Sequence, residues 1–402
     1  MSARIVASPW LTIIGIGEDG LAGLSEASRN ALEHAEAVFG GERQLRLACI
    51  DGRGRPWPVP FDATCVLARR GRPTAVLASG DPFWHGAGGS LAAQLSADEW
   101  VAYPAPSTFS LAASRLGWRL EELSCVGLHA APFERLFPLL ARGARMVCLV
   151  RDKKAASELA SWLSTRGFGA SKLWTLSALG GPRERVVESR AEGYAAEAAE
   201  CPLAVAIEAH GAAGLPRASG LADDLFKHDG QITKRPVRAL ALSALAPRPG
   251  ERLWDIGAGS GSISIEWSLA GGTVIAIEAR EDRVANIWAN ATAFGVLHKI
   301  KVVVGGAPAA LSGLDKPDAV FIGGGLDLAM FDGLWPLLPG GTRIVAHSVT
   351  LETEALLSEL HHRRGGELMR VEIAQASPLG RLRCWEAARP IVQWSAVKAG
   401  AS

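Results

Sequence analysis

Arg252-Leu253-Trp254-Asp255-Ile256-Gly257-Ala258-Gly259-Ser260-Gly261 is the stretch on which the reading of the fold turns. A short apolar run meets glycine at every second position, and after that turn 262–270 is expected to continue as a helix. Glycine tolerates positive φ and lets another molecule approach the backbone, while the N–H groups of the helix start point at whatever lies above the turn. Apolar runs of this kind recur at 11–16, 74–78, 145–150, 203–207, 273–277, 301–304, 319–322 and 342–346. Continuous Val/Ile/Leu runs predict strands buried on both faces, and their alternation with helical stretches predicts parallel sheets and an α/β protein.

The chain has 402 residues, beyond the roughly 250 to 300 at which single cores stop growing. Two domains are expected, 1–208 and 221–402, joined by the Gly- and Pro-containing linker 209–220. The segment 104–117 separates two groups of strands, so the first domain is expected to have two lobes.

Basic and acidic side chains number 42 and 41, a formal charge of +1. No global field steers the chain to nucleic acid or to an anionic membrane. Cys49, Cys65, Cys125, Cys148, Cys201 and Cys384 lack metal-ligand spacing. They are expected to be reduced and mostly buried, and no metal is expected. Residues 1–16 lack a leader-like apolar region, and no apolar run reaches the roughly 18 residues that span a bilayer, so a cytoplasmic location is expected.

The turn at 257–261 reads GxGxG, with Ser262 where a dinucleotide fingerprint places its third glycine. Asp255 stands two residues before the first glycine, where a carboxylate can accept from an amino-acid ammonium. Glu278 closes the next strand, where an acid can accept from both hydroxyls of a ribose. This set favours S-adenosylmethionine on Asp255, Gly257, Ala258, Gly259, Ser260, Gly261 and Glu278. Gly306 and Ala307 end the third strand, near the expected adenine. Gly323, Gly324 and Gly325 end the fourth, where they leave room for a bulky, flat acceptor.

In the first half, Gly15-Ile16-Gly17-Glu18-Asp19-Gly20 follows a strand, and Ser79-Gly80-Asp81-Pro82-Phe83 follows the next strand read. Taken singly, these turns do not separate a cofactor loop from a tight turn with an N-cap.

From residue 221 to about 389 the chain resembles the precorrin methyltransferase/decarboxylase family of cobalamin biosynthesis. The resemblance rests on Asp223-Asp224-Leu225-Phe226-Lys227-His228, Ile232-Thr233-Lys234-Arg235, LWDIGAGSGSISIE at 253–266 and GGAPAAL at 305–311. It implies cofactor contacts at Thr233, at 257–261, at Glu278 and at Ala307. Gly306 departs from the acid that often precedes this alanine. Residues 10–208 resemble the tetrapyrrole methylases, specifically the precorrin C5-methylating members, through IGIGEDG at 14–20, SGDPFWHGAGGSL at 79–91, Tyr103-Pro104-Ala105-Pro106-Ser107-Thr108 and Leu179-Gly180-Gly181-Pro182-Arg183-Glu184-Arg185. That resemblance implies a second S-adenosylmethionine between two lobes, touching Gly17, Gly80, Asp81, Phe83, Ser107 and Thr108.

Together the resemblances imply a two-lobed tetrapyrrole methylase fold followed by a class I Rossmann-like methyltransferase fold. The implied reaction uses two S-adenosylmethionines to methylate C5 and C15 of a precorrin and removes CO2 from its ring C acetate. The partner is then a small tetrapyrrole, and the families imply a homo-oligomer. A polycarboxylate substrate asks for cations, and Lys227, His228, Lys234, Arg235, Arg238, Arg381 and Arg383 are available, although a solvated face explains most such charges. Lys234, Arg381 and His347, the last placed just after a strand, are the candidates for catalytic contact. Other readings remain beside this one: a methyltransferase for RNA or protein, which asks for a basic face and a Pro-Pro acceptor motif; an NAD-dependent oxidoreductase, which asks for a third glycine at 262; and a non-catalytic cofactor sensor.

Overall fold

The computed structural model describes residues 9–195 and 200–400, so residues 1–8 of the stretch read for a leader lie outside it. The described residues form two units. One comprises the chain up to 133 together with 139–213; the other comprises 214 onward together with 134–138.

The first unit holds two sheets. In the first sheet the order is Gly54–Pro56, Ala37–Gly40, Thr74–Ser79, Leu11–Ile16, Trp100–Tyr103, with every pairing parallel. Ile14, Ile16 and Leu77 pack on one of its faces and Leu11, Ile13 and Val76 on the other, which is why these runs are continuously apolar. The second sheet is ordered Ser124–Gly127, Arg145–Val150, Leu203–Glu208, Lys172–Ser177, Arg185–Arg190. Here the expectation of parallel strands fails, because Leu203–Glu208 runs antiparallel to both neighbours. An unbroken apolar run reports burial on two faces, not direction. The helix Thr108–Leu116 lies between the two sets of strands in sequence. Ser107 caps its start by accepting from Ser110 N, and Gly117 at φ 64° ends it.

The second unit is built on one sheet ordered Ile300–Val304, Thr273–Glu278, Arg252–Ile256, Ala319–Ile322, Arg343–Ser348, Ile391–Val397, Glu367–Val371. The first five are parallel and Ile391–Val397 is antiparallel to both neighbours. Register sets Ile256 beside Ile277 and Ile322, so the turns that follow these strands emerge side by side at one edge. Open α/β sheets bind ligands at that edge. Separate from this sheet, Ala374–Leu379 and Leu382–Ala387 form a hairpin on which Leu379, Leu382 and Trp385 are exposed.

All six cysteines are free, but only Cys148 is buried; Cys49 and Cys201 are exposed. The expectation of mostly buried thiols fails, since Cys49 and Cys201 sit in loops, Cys65 in the short helix Thr64–Leu67 and Cys384 in the exposed hairpin. Among the described residues no helix is long and apolar enough to cross a membrane.

Candidate active site

In the second unit Gly257, Gly259 and Gly261 have φ of 70°, 59° and 74°, values that L side chains rarely adopt. A Cβ on Gly257 would find no atom within 4 Å, so the turn is an open cradle. Gly323 N donates to Ile256 O at 3.4 Å, which places the triple-glycine loop against the first glycine turn. Gly305 N donates to Glu278 O at 2.9 Å and joins the 305–307 turn to the same rim.

Glu278 is buried at the end of its strand. Its Oε2 accepts from Gly259 N at 2.8 Å and its Oε1 from Arg280 N at 3.0 Å. A carboxylate offers about four lone pairs, so acceptor capacity remains for two hydroxyls. Asp255 is 1% exposed, and its Oδ2 accepts from both the amide and the hydroxyl of Ser264. Burial pushes its carboxyl up to about 6, the nearby Glu278 charge adds to this, and the Ser264 bonds oppose it. A cation beside Asp255 would favour its ionised form.

Thr233 is positioned by Arg238, one of the cations read as solvated or carboxylate-binding. That expectation fails, because Arg238 is fully buried. It donates to Glu266 Oε1 at 2.7 Å, to Asp223 Oδ1 at 3.1 Å and to the carbonyls of Thr233 and Leu221, and it lies 4.7 Å over the Phe226 ring. Glu266, on the helix Ser262–Leu269, also accepts from Gly220 N and Leu221 N at 2.6 and 2.9 Å. Asn290 completes the clamp by donating to Ser260 O at 2.8 Å and to Lys227 O at 2.9 Å. Nothing in the sequence pairs these residues, which stand up to 63 positions apart; the clue was a cation and an acid inside otherwise apolar helices.

The three candidates for catalytic contact are scattered. His347 lies inside the strand Arg343–Ser348, not after it, and is 3% exposed. Its Nε2 bonds Gln393 Oε1 at 2.9 Å and its ring meets Phe321 edge-on, with burial lowering its pKa. Lys234 is the N-cap of the helix Arg235–Leu245, with Nζ 3.9 Å from Asp223. Arg381 occupies the turn of the exposed hairpin beside Gly380 at φ 60°.

In the first unit close backbone packing joins the motifs. A Cβ on Gly15 would stand 2.0 Å from Gly80 O and 2.4 Å from Ala105 N, and one on Gly181 would stand 2.4 Å from the Glu18 Cβ. Gly17, Gly80 and Thr108 line a cleft of about 480 Å³ that also takes in Arg43 and Arg151. Asp81, Ser107 and Thr108 line an adjoining cleft of about 560 Å³, and Thr108 and His129 border both. Asp81 Oδ1 accepts from Phe83 N at 2.8 Å. The Phe83 ring packs 5.5 Å from Trp100 and lines neither cleft. Glu18, flanked by Arg43 and by Arg183 at 3.3 Å, was not singled out from the sequence.

The open glycine turn, the acid at the next strand end and the strand order of the second unit define a methyltransferase of the S-adenosylmethionine-using class. Residues 10–194 match the family described as Tetrapyrrole (Corrin/Porphyrin) Methylases, and 224–398 match the Precorrin methyltransferase domain. A Sinorhizobium sp. protein described as Precorrin-6Y C(5,15)-methyltransferase (decarboxylating) is 48% identical over 408 residues, covering 99% of this chain and 98% of that one. A Mycobacterium tuberculosis protein of the same description is 38% identical over 397 residues, covering 96% and 100%. The crystal structure of the C-terminal domain of precorrin-6Y C5,15-methyltransferase from Rhodobacter capsulatus is 56% identical, covers 46% of this chain and all of that one, and gives a TM-score of 0.45. The chain belongs to the family of decarboxylating precorrin-6Y C(5,15)-methyltransferases.

Proposed function

We propose that this chain converts precorrin-6Y to precorrin-8, methylating C5 in the first unit and C15 in the second and releasing the ring C acetate carboxyl as CO2. The supporting observation is the match to a relative of that description along 99% of the chain, through both units. S-adenosylmethionine supplies each methyl group as an electrophilic sulfonium carbon. The domains run over 1–208 and 221–402, joined by 209–220, and each has its own cofactor site.

In the second site the cradle at 257–261 receives the amino-acid part, Asp255 faces the ammonium, Glu278 accepts from the ribose, and Thr233, Gly306 and Ala307 border the rest. In the first site Gly17, Gly80, Asp81, Ser107 and Thr108 border the cofactor, with Phe83 contributing backbone. The residues act by holding the acceptor carbon in line with the donor, an entropic contribution that carries much of the acceleration in such displacements. On decarboxylation the electron pair of the broken C–C bond passes into the protonated macrocycle, so no dedicated base is required of the second unit. Lys234, whose Nζ lies 3.9 Å from Asp223, and Arg381, on the exposed hairpin, would meet substrate carboxylates. His347, already bonded to Gln393, is the weakest of the three candidates.

We further read the protein as a cytoplasmic homo-oligomer. The exposed hairpin supports self-association, since a lone two-stranded hairpin is marginal in water.

The test is mass spectrometry of precorrin-6Y incubated with purified protein and S-adenosylmethionine. A gain of two methyls with loss of one CO2 is expected, and calorimetry should count two cofactor sites. Absence of any methyl gain overturns the assignment.

A further inference from the structure

The larger cleft of the first unit carries two imidazoles that nothing above employs. His85 ends the run Ser79-Gly80-Asp81-Pro82-Phe83-Trp84-His85, and His129 follows the strand Ser124–Gly127. Both line the cleft of about 560 Å³. Their rings stand edge-to-face with centroids 6.4 Å apart.

Gly127 makes room for that arrangement. A Cβ there would lie 3.3 Å from the Cε1 of His85 and 3.4 Å from that of His129. His85 has φ 58°, a backbone conformation natural to glycine and costly for histidine. A strained residue held in a cleft, among surroundings that over-determine it, points to a use for its side chain. Neither imidazole has a hydrogen-bond partner among the described residues, so their nitrogens are available to a ligand.

The walls decide what kind of ligand. Trp57, Phe61, Trp84 and Phe109 line the same cleft, a surface suited to a flat conjugated molecule. His129 also borders the neighbouring cleft that holds Gly17 and Gly80. His129 therefore borders both clefts, while His85 lines the aromatic one, which Asp81, Ser107 and Thr108 also line.

Replacement of hydrogen by methyl at a ring carbon has a fixed balance. The methyl carbon bonds to C5, the C–S bond breaks with its electron pair left on sulfur, and the C5–H electrons return to the macrocycle. One proton is released. We infer that His85 and His129 are the proton-accepting pair of the C5 methylation, one imidazole nitrogen taking the C5 proton and passing it to solvent. The inference rests on the reaction proposed above.

The charged groups around the pair are Asp81 in the larger cleft and, in the neighbouring cleft that His129 also borders, Glu18, Arg43 and Arg151. From its own loop Asp81 faces the cleft, with one oxygen committed to Phe83 N. Ser107, Thr108 and Phe109 of the adjacent helix, and Gly41, Gln44, Trp57 and Phe61 of the opposite wall, bring no charge. Burial and the neighbouring His129 lower the pKa of His85, which keeps it a neutral acceptor at physiological pH.

The test uses the full chain with precorrin-6Y and S-adenosylmethionine, resolving C5 from C15 products by mass spectrometry and NMR. His85→Gly relieves the left-handed backbone, so loss of folding does not confound it. His129→Asn and the double variant complete the set. Expected is a fall in kcat for C5 transfer of about 10²-fold or more in the double variant. KM and cofactor affinity should change little, the acid limb of the rate–pH profile should disappear, added imidazole should restore rate to His85→Gly, and C15 methylation should persist. Unchanged kcat for C5, or a change confined to KM, overturns the pair while leaving the proposed reaction in place. A wild-type protein that adds no methyl at C5 overturns that reaction and the pair with it.

Discussion

The carboxylate of Glu278 accepts the amide proton of Gly259 at 2.8 Å, so the acid ending one strand grips the glycine turn ending its neighbour. On the proposed reading, replacing it removes the ribose acceptors and loosens the turn in one step. With hydrogen bonds to charged groups worth about 1.5–3 kcal/mol, Glu278→Ala should weaken cofactor binding at the second site by roughly 10²-fold. In the mass-spectrometric assay the variant should yield product methylated at C5 alone, with its CO2 retained. Normal C15 methylation would remove Glu278 from the cofactor site.

Asp255 has a folded-state pKa of about 6 against an ordinary 3.8. The folded protein therefore binds this proton more tightly than the unfolded chain does. The group favours folding at pH below about 4, and that contribution is lost as pH rises through 6. Above pH 6 it stands as a cost of about 3 kcal/mol. Asp255→Asn should raise the thermal midpoint at pH 8 and flatten its dependence between pH 4 and 6, while weakening cofactor binding about tenfold through loss of the charge proposed to face the ammonium. A midpoint that falls at pH 8 would contradict this account.

Arg238 meets two carboxylates, two carbonyls and a ring with no exposed surface. Lysine cannot supply that fork of donors. Arg238→Lys should cost about 3–5 kcal/mol, the usual penalty for breaking a buried pair. Scanning calorimetry should show the second unit melting roughly 10 °C lower. A melting profile identical to wild type would show the network to be dispensable.

Gly15 has no room for a methyl group, since its Cβ would overlap backbone atoms of Gly80 and Ala105. Gly15→Ala should displace the loops that border the first clefts and abolish C5 methylation. C15 methylation, on the proposed assignment to the other unit, should remain above half of wild type. Circular dichroism together with the two product yields separates these outcomes.

What the sequence made legible follows from which features are local. The run Leu11–Ile16, the run Arg252–Ile256 and the glycine turn after it announce themselves, because buried parallel strands need unbroken apolar residues and positive φ needs glycine. The strands Arg185–Arg190 and Ala374–Leu379 were not read, since both are largely exposed and the second contains Pro378. The helix Ser262–Leu269 has the alternation of a strand and was read correctly only from the turn before it; buried on every side, it has no polar face to give a helical period. In the site, Glu278 and the glycines were visible because they close strands. The roles of Arg238 and Asn290 were not, because each depends on partners distant in the chain.

The two units have separate sheets and separate cores within one polypeptide. On the proposed reading, that covalent bond fixes the cellular ratio of the two methylating centres at one to one. Variation in gene dosage or translation then raises or lowers both together, and a half-methylated macrocycle cannot accumulate for want of the second centre's synthesis.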